Sequence, residues 1–416
     1  MKNCFSFGEY NKLYKHAWLY IFTKFIYDYA LGDFLEEKLI KKINYKYPKD
    51  ILIQQAFNYF ISFIGSIFLF FYEKKQEEKK LNEPVPSYKN KSSNNKVELI
   101  HNDLLEDKYL SLCDYFIIVF LFFSMQLYKA FFIFNLKGLN FWVFEIFFMA
   151  YINLKLFNMP IYRHKVFGIV IIIIFCTLFK ILSIVYRFID DDNPKIYTSY
   201  LYLVPIGIII FLLIILLRSY TFCKTKWICD TKYILPSKIL ILYNLLGTFL
   251  CFIISIITNF NPCTETYQFY NVACQVKENN SSKILYYDNY FIYFKIFSEN
   301  ILVSIIVFVI KTISCFFNKI FIIYIIKNLS PEYIICSNSV NYFISEVIDF
   351  FFFLFSENEH FKFYKFFSML AEIFCFIGSL IYLEIIELHF CKMDYNLKKN
   401  IKIRAEKDFN IENISN

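Results

Sequence analysis

Glu145 is the residue of this chain whose surroundings point most directly to chemistry. It lies in the apolar run FWVFEIFFMAYINLK, among aromatic residues and with no cation one helical turn away. A charge placed in hydrocarbon is costly unless it faces a partner or a watery cavity. Glu145 therefore requires a counter-ion from another segment, a proton or a solute.

Proton binding is the expectation that we carry forward for Glu145. Burial away from water disfavours the charged form of a carboxyl group, so this residue could couple proton movement to solute exchange. Two alternatives compete with this hypothesis. They are a permanent ion pair with Lys311 and a direct contact with a cationic solute.

A second group of polar residues lies in the run PEYIICSNSVNYFISEVIDFF, where serines and asparagines recur about one helical turn apart. This spacing predicts a small polar stripe on one helical face. Such a stripe can line a substrate path, and it can equally join helices through hydrogen bonds. We assign the substrate path to Glu145, Gln126, Lys311, Ser337, Asn338 and Asn341.

Enzyme chemistry has little support in the motifs. The chain has no phosphate-binding glycine loop, no G-x-S-x-G elbow, no H-E-x-x-H and no C-x-x-C pair. Its five His are too dispersed to suggest a metal site. The run Asp190-Asp191-Asp192 could hold Mg²⁺ with a diphosphate, although such a cluster is more often a solvated turn. We therefore expect no enzymatic activity, no cofactor and no metal.

Composition places the chain in a membrane. Hydrophobic residues make up 57% of it and aromatic residues 22%, and the mean hydropathy is +0.43, far from an average soluble domain. The net charge of +8 comes mostly from the short loops between apolar runs. It informs orientation and does not indicate a nucleic-acid partner.

Ten apolar runs are long enough to be considered as membrane spans, since a bilayer core of about 30 Å requires about 20 residues of helix. The predicted fold class is an all-α polytopic membrane protein with about ten transmembrane helices. The first run is short, and its Lys24 and Asp28 could form a local ion pair or lie along the interface. The runs are His16 to Leu31, Ile51 to Tyr72, Asp114 to Phe134, Leu139 to Phe157, Val166 to Arg187, Tyr200 to Arg218, Ser237 to Thr258, Asn300 to Ile322, Pro331 to Phe355 and Phe366 to Leu388.

Loop charges predict the orientation. With ten spans and a cytoplasmic N-terminus, the cytoplasmic connections and termini carry about 25 Lys and Arg, against about 13 in the opposite connections. Both termini are therefore expected in the cytoplasm, although the basic loop 33–50 would then face outward. Residues 389–416 form a cytoplasmic tail in this arrangement.

Two longer connections differ in character. Residues 73–108 are charged and lack apolar periodicity, so we expect a disordered cytoplasmic linker. Residues 260–299 would face the lumen or exterior and contain Cys263 and Cys274, for which a disulfide and two unpaired thiols are the alternatives. The same loop carries overlapping glycosylation sequons at Asn279 and Asn280.

An internal repeat divides the chain. YKAFFIFNLKGLN at 128–140 and NKIFIIYIIKNLS at 318–330 lie 190 positions apart, and each is followed by one apolar run, a polar break and a closing run. This phase predicts two inverted five-helix repeats, 1–188 and 189–416, with the solute site between the halves, as in secondary transporters. The identical positions are Lys129/Lys319, Phe131/Phe321, Ile133/Ile323, Lys137/Lys327 and Leu139/Leu329.

Three stretches resemble a known family. FIIYIIKNLSPEYIICSNSVNYFISEVIDFFF is similar to the eighth-to-ninth span passage of the drug/metabolite transporter superfamily, which includes nucleotide-sugar and triose-phosphate carriers. FSMLAEIFCFIGSLIYLEIIE and IYRHKVFGIVIIIIF resemble its closing spans, and the cysteine-bearing loop resembles its chloroquine-resistance transporter branch. The resemblance implies a solute carrier that works by alternating access through a cavity formed by both halves.

Together these observations favour a secondary-active transporter of a small organic solute, coupled to protons and embedded in a lipid bilayer. The alternative is a multi-span membrane protein that does not transport, either a membrane-embedded enzyme or a receptor-like scaffold.

Overall fold

The structure is a computed structural model. It describes residues 5–7, 15–26, 52–82, 110–133, 144–157, 161–190, 203–259, 276–277, 284–286, 294, 297–298, 301–354, 363–390, 393–397, 400–401 and 403–404.

Ten α-helices account for most of this described part of the chain. Helices are expected here because a backbone surrounded by lipid must satisfy its hydrogen bonds within the segment. Each predicted apolar run overlaps one of them. The helices are α1 Lys15–Phe25, α2 Leu52–Asn82, α3 Leu112–Ile133, α4 Phe144–Phe157, α5 Arg163–Asp190, α6 Leu203–Lys232, α7 Pro236–Asn259, α8 Ile301–Asn328, α9 Glu332–Leu354 and α10 Phe363–Tyr382.

Within the part of the chain that the structure describes, five helical segments are long and apolar enough to cross a membrane. They are Ile53–Lys79, Arg163–Ser183, Pro236–Ile257, Ile301–Asn328 and Lys365–Tyr382, and Leu112–Leu127 is a shorter apolar segment. The exposed faces are also apolar, as on α2, where Phe57, Phe60 and Phe68 are 42%, 48% and 72% exposed. Serines and threonines of the same helices lie inside. The chain is therefore an all-α membrane protein.

Two predicted boundaries differ from the structure. α2 continues to Asn82, so the first ten residues of the expected linker 73–108 are helical; residues 83–108 lie outside the described ranges. The run EKKQEEKK consists of strong helix formers, which extends the helix beyond its apolar part. The tenth run was expected to be helical to Leu388, but α10 ends at Tyr382.

Short strands follow that end. Ile386–Leu388 pairs antiparallel with Phe5–Phe7, Phe5 opposite Leu388, so the first described element lies beside a strand that follows the last long helix. We label Phe5–Phe7 β1 and Ile386–Leu388 β4. A second antiparallel pair, β2 Val276–Lys277 with β3 Ile284–Tyr286, lies in the loop between α7 and α8. In the expected tail, the Phe390 ring packs edge-on against Phe167 of α5.

The chain forms two compact units. The first contains Met1–Phe25, Ser124–Cys223 and Asn328–Asn416, and the second contains Ile26–Phe123 and Lys224–Lys327. Both units therefore take helices from each of the predicted halves 1–188 and 189–416. The halves remain a prediction about sequence repeats.

In the first unit, the contact between α5 and α10 is the most extensive one between two helices. Their ring contacts show that they run in opposite directions. The Phe175 ring stacks on Phe374 at 4.4 Å between centroids, and the Phe179 ring, one turn later, stacks on Phe367 at 6.3 Å. Gly168 and Gly378 face each other where the backbones cross. The absence of side chains at both positions permits this close approach.

In the second unit, α2 and α7 also pack along their length and in opposite directions. The Tyr59 ring lies against Gly247, Asn244 Nδ2 donates to Ser66 Oγ at 2.9 Å, and the Ser237 hydroxyl donates to Glu73. Glu73, at the start of the expected linker, is thus bound to the helical core.

Candidate functional site

Glu145 begins the first turn of α4 and is 1% exposed. Its Oε1 lies 3.2 Å from Arg218 Nε on α6, and the Arg218 side chain is 5% exposed. The Arg218 guanidinium is also 5.2 Å from the centre of the Phe222 ring. Of the three partners expected for Glu145, the structure provides a counter-ion from another helix. That counter-ion is Arg218, whereas the expected alternative was Lys311.

Lys24 of α1 connects Glu145 to α9. Lys24 acts electrostatically on Glu145, and its Nζ donates to Asn338 Oδ1 at 3.2 Å. The Tyr20 hydroxyl donates to the same oxygen at 3.1 Å. Four helices, α1, α4, α6 and α9, therefore hold one group of interacting residues within the first unit. We name Tyr20, Lys24, Glu145, Arg218 and Asn338 the buried polar cluster.

The residues of the expected polar stripe lie in the buried first half of α9. Every residue from Pro331 to Asn341 is buried, because helices surround this end of α9. The polar residues consequently face different neighbours: Asn338 faces α1, and the Ser339 hydroxyl lies 2.8 Å from Ser379 Oγ on α10. Interhelical hydrogen bonding thus accounts for at least part of the pattern.

One polar atom of α9 remains for a ligand or a rearrangement. Asn341 Oδ1 is buried and has no hydrogen-bond partner among the described residues. Glu332, in contrast, interacts with the Tyr382 hydroxyl, and its Oε1 accepts a bond of 2.5 Å from Asn153 Nδ2 on α4. Ser337 is 4% exposed in the same segment.

The remaining predicted path residues are divided between the units. Gln126 of α3 is half-buried and belongs to the first unit, whereas Lys311 of α8 is 4% exposed and belongs to the second. Near Lys311 along α8, Thr312 donates to Asn58 Oδ1 at 2.6 Å. Lys319, one of the identical positions of the sequence repeat, is 9% exposed and lies 3.5 Å from the centre of the Tyr59 ring.

Four predicted positions lie outside the described residues. They are Cys263 and Cys274, for which a disulfide was one alternative, and Asn279 and Asn280 in the glycosylation sequons.

A second buried ionic group was missed at the sequence level. Lys180 Nζ on α5 lies 2.9 Å from Glu372 Oε1 on α10, with side-chain exposures of 8% and 3%. Lys180 also donates to Ser368 Oγ at 3.2 Å, and Ser368 donates to Glu346 Oε1 on α9 at 3.1 Å. The signal was available, because Lys180 and Glu372 are each a lone charge within an apolar run, as Glu145 is.

Arg218 was missed for a different reason. It was the last residue of the predicted sixth span, Tyr200 to Arg218, where an interfacial role is the ordinary interpretation. α6 continues for fourteen residues beyond it, so Arg218 lies near the middle of the helix.

Comparison with known proteins adds no assignment, since no protein-family model matches the chain and no curated protein is significantly similar to it.

Proposed function

We propose that this protein is a secondary-active transporter that moves a small organic solute across a bilayer by alternating access and proton coupling, without ATP hydrolysis or a bound cofactor. The observation that carries the proposal is the buried polar cluster, in which four helices with apolar outer faces direct charged and amide groups toward one another. The architecture that we propose resembles the drug/metabolite transporter superfamily.

Charges inside a helical membrane protein support transport because they are expensive to keep there. Glu145 and Arg218 compensate each other, but a well-packed apolar pair of similar size would be as stable or more stable. An interior of this kind is useful where a polar solute must replace internal contacts. Asn341 Oδ1 is such a position, since it is a buried acceptor without a partner in the described part of the chain.

Helix order supports the two-half arrangement. α2 packs with α7, α4 with α9 and α5 with α10, and these are the equivalent helices of two five-helix halves. Equivalent helices that pair in opposite directions are expected of an inverted repeat.

The pairing of β1 with β4 supports an even number of crossings between residues 7 and 386. Two chain ends joined in one sheet must lie on the same side of the bilayer. Five crossings would separate them, whereas ten would not. This favours ten spans with both termini on one face, which the loop charges assign to the cytoplasm.

Reconstitution tests the proposal. Purified full-length protein in liposomes without ATP should show saturable uptake and counterflow for at least one member of a broad solute panel. The Asn338→Ala change should reduce that uptake by at least about tenfold, equivalent to about 1.4 kcal/mol. Phe68→Leu, on the exposed face of α2, is the matched control and should transport normally. Folded protein that moves no solute in the panel would contradict the proposal.

A further inference from the structure

Glu372 and Lys180 form an ion pair near the middle of the first unit's longest helix contact. Glu372 lies seven residues from Lys365 and ten from Tyr382, the ends of the candidate span. At 1.5 Å per residue, both distances are about 10 to 15 Å, so the carboxyl group is remote from either membrane surface. A charged pair at this depth requires good compensation.

Compensation of Glu372 is incomplete. Its Oε1 is 2.9 Å from Lys180 Nζ, but its Oε2 is buried and has no hydrogen-bond partner among the described residues. Four lone-pair positions on a carboxylate normally accept hydrogen bonds when ionised. The neutral carboxyl form requires fewer accepted hydrogen bonds.

Lys180 is shared with a second carboxylate. Ser368 Oγ accepts a hydrogen bond from Lys180 and donates one to Glu346 Oε1, and Glu346 also acts electrostatically on Lys180. Around the pair, Glu372, Glu346 and Cys176 act electrostatically on Lys180, and Cys176, Glu372 and Lys180 act on Cys375 of α10. Lys180 thus interacts with two carboxylates, and an ammonium group shared in this way stabilises the charged form of Glu372 less than a dedicated counter-ion would.

We propose that Glu372 is a proton-binding site, at which a proton adds to Oε2 and leaves Lys180 to Glu346 through Ser368. A proton requires a single oxygen lone pair, whereas a hard metal cation requires several oxygen ligands and would meet the Lys180 ammonium. The Phe374 ring, which stacks on Phe175 and Phe179 beside the pair, favours a proton over a bulky cationic solute.

Protonation changes the contacts of three helices. When Glu372 is neutral, the α5–α10 ion pair is lost and the α5–α9 link through Ser368 is favoured. Under the proposed function, on which this consequence rests, that exchange couples proton movement to the rearrangement of the helices. Glu372 then has the coupling role that we first expected of Glu145.

Labelling with a hydrophobic carbodiimide tests the site without knowledge of the solute. This reagent adds to protonated carboxyl groups in apolar surroundings, and peptide mass spectrometry locates the product. In the wild-type full-length protein in liposomes, labelling at Glu372 should decrease as the pH is raised. Lys180→Met should increase this labelling several-fold at neutral pH, and Glu346→Gln should reduce it several-fold, because Lys180 is then available to Glu372 alone.

The controls separate the possible results. Absence of label at Glu372 at every pH would overturn the proposal, as would protection by Na⁺ at constant pH, which would indicate a metal-ion site. The wild-type pH series needs no substitution and remains informative if a variant fails to fold. A proton site at Glu372 without transport of any solute in the liposome screen would contradict the proposed function and leave this inference intact.

Discussion

Glu145 and Glu372 show how differently two buried carboxylates can be compensated. Glu145 lies beside Arg218 and is influenced by Lys24, so two cations act on one carboxylate. Glu372 pairs with Lys180, on which Glu346 also acts. The two sites therefore differ in the charged groups that surround the carboxylate.

The Glu145–Arg218 pair can be tested with a double-mutant cycle. Glu145→Gln or Arg218→Gln alone should destabilise the protein by about 3–5 kcal/mol, because each leaves a buried charge without its partner. The double variant should be less destabilised than the sum of the two. Thermal unfolding in detergent measures all four proteins, and strictly additive losses would show that the pair does not interact.

Asn338 and Asn341 provide a matched comparison on one helix. Asn338→Ala removes an acceptor shared by Tyr20 and the half-buried Lys24 and should cost about 1–3 kcal/mol, the usual cost when a buried polar group loses its hydrogen bonds. Asn341→Ala removes an oxygen that has no partner in the described chain, so stability should change little. Equal losses of stability in both variants would contradict these assignments.

At the level of elements, the contact between α5 and α10 depends on two glycines. A methyl group on Gly168 would lie 2.9 Å from Gly378 O and 3.0 Å from Tyr382 N. These are backbone atoms, which cannot rotate away as a flexible side chain would. Close backbone approach is a common basis of helix pairing in lipid, where the hydrophobic effect does not drive association.

Gly168→Ala should therefore destabilise the protein by about 1–3 kcal/mol, the usual cost of overpacking. Val170→Leu enlarges a side chain on the same helix, but Val170 is 42% exposed on the lipid-facing side, and no loss is expected. Thermal unfolding of both variants gives the comparison. If Gly168→Ala melts with the wild type, the helices are not held at this crossing.

At the level of the whole molecule, many large apolar side chains are exposed, and several charged and hydroxyl-bearing side chains are buried beside an apolar core, unlike in a soluble protein. On α8, Ile301, Leu302 and Ile305 are exposed while Ser304, Lys311 and Thr312 are buried. This arrangement is stable where the surrounding solvent is hydrocarbon and the polar groups bond internally. Membrane embedding is thus supported by surface chemistry in addition to span length.

Orientation of the molecule gives the last prediction. Residues 260–299 should lie opposite both termini, because the loop charges favour cytoplasmic ends. A membrane-impermeant maleimide applied from the cytosolic side should leave Asn280→Cys unmodified and should label Asn413→Cys in the tail. Cytosolic labelling of position 280 would reverse the orientation and remove the basis for a disulfide or glycan in this loop.

The sequence by itself determined the class and the elements. Each of the ten apolar runs overlaps a helix in the described chain, because lipid permits a long apolar segment few other conformations. Glu145 was also identified as buried from its neighbours alone. The end of α2 was placed too early, since a charged run was interpreted as disordered although Glu and Lys favour helix.

Only the tertiary structure decided which polar groups meet. Arg218 as the partner of Glu145, Lys24 as the donor to Asn338, and Ser368 as the link between Lys180 and Glu346 all join residues far apart in the chain. The pattern of polar and apolar residues reports which face of a helix turns away from lipid. It contains no information on which helix covers that face. The pairing of helices depends on close contacts such as Gly168 with Gly378, which arise only once the chain is folded.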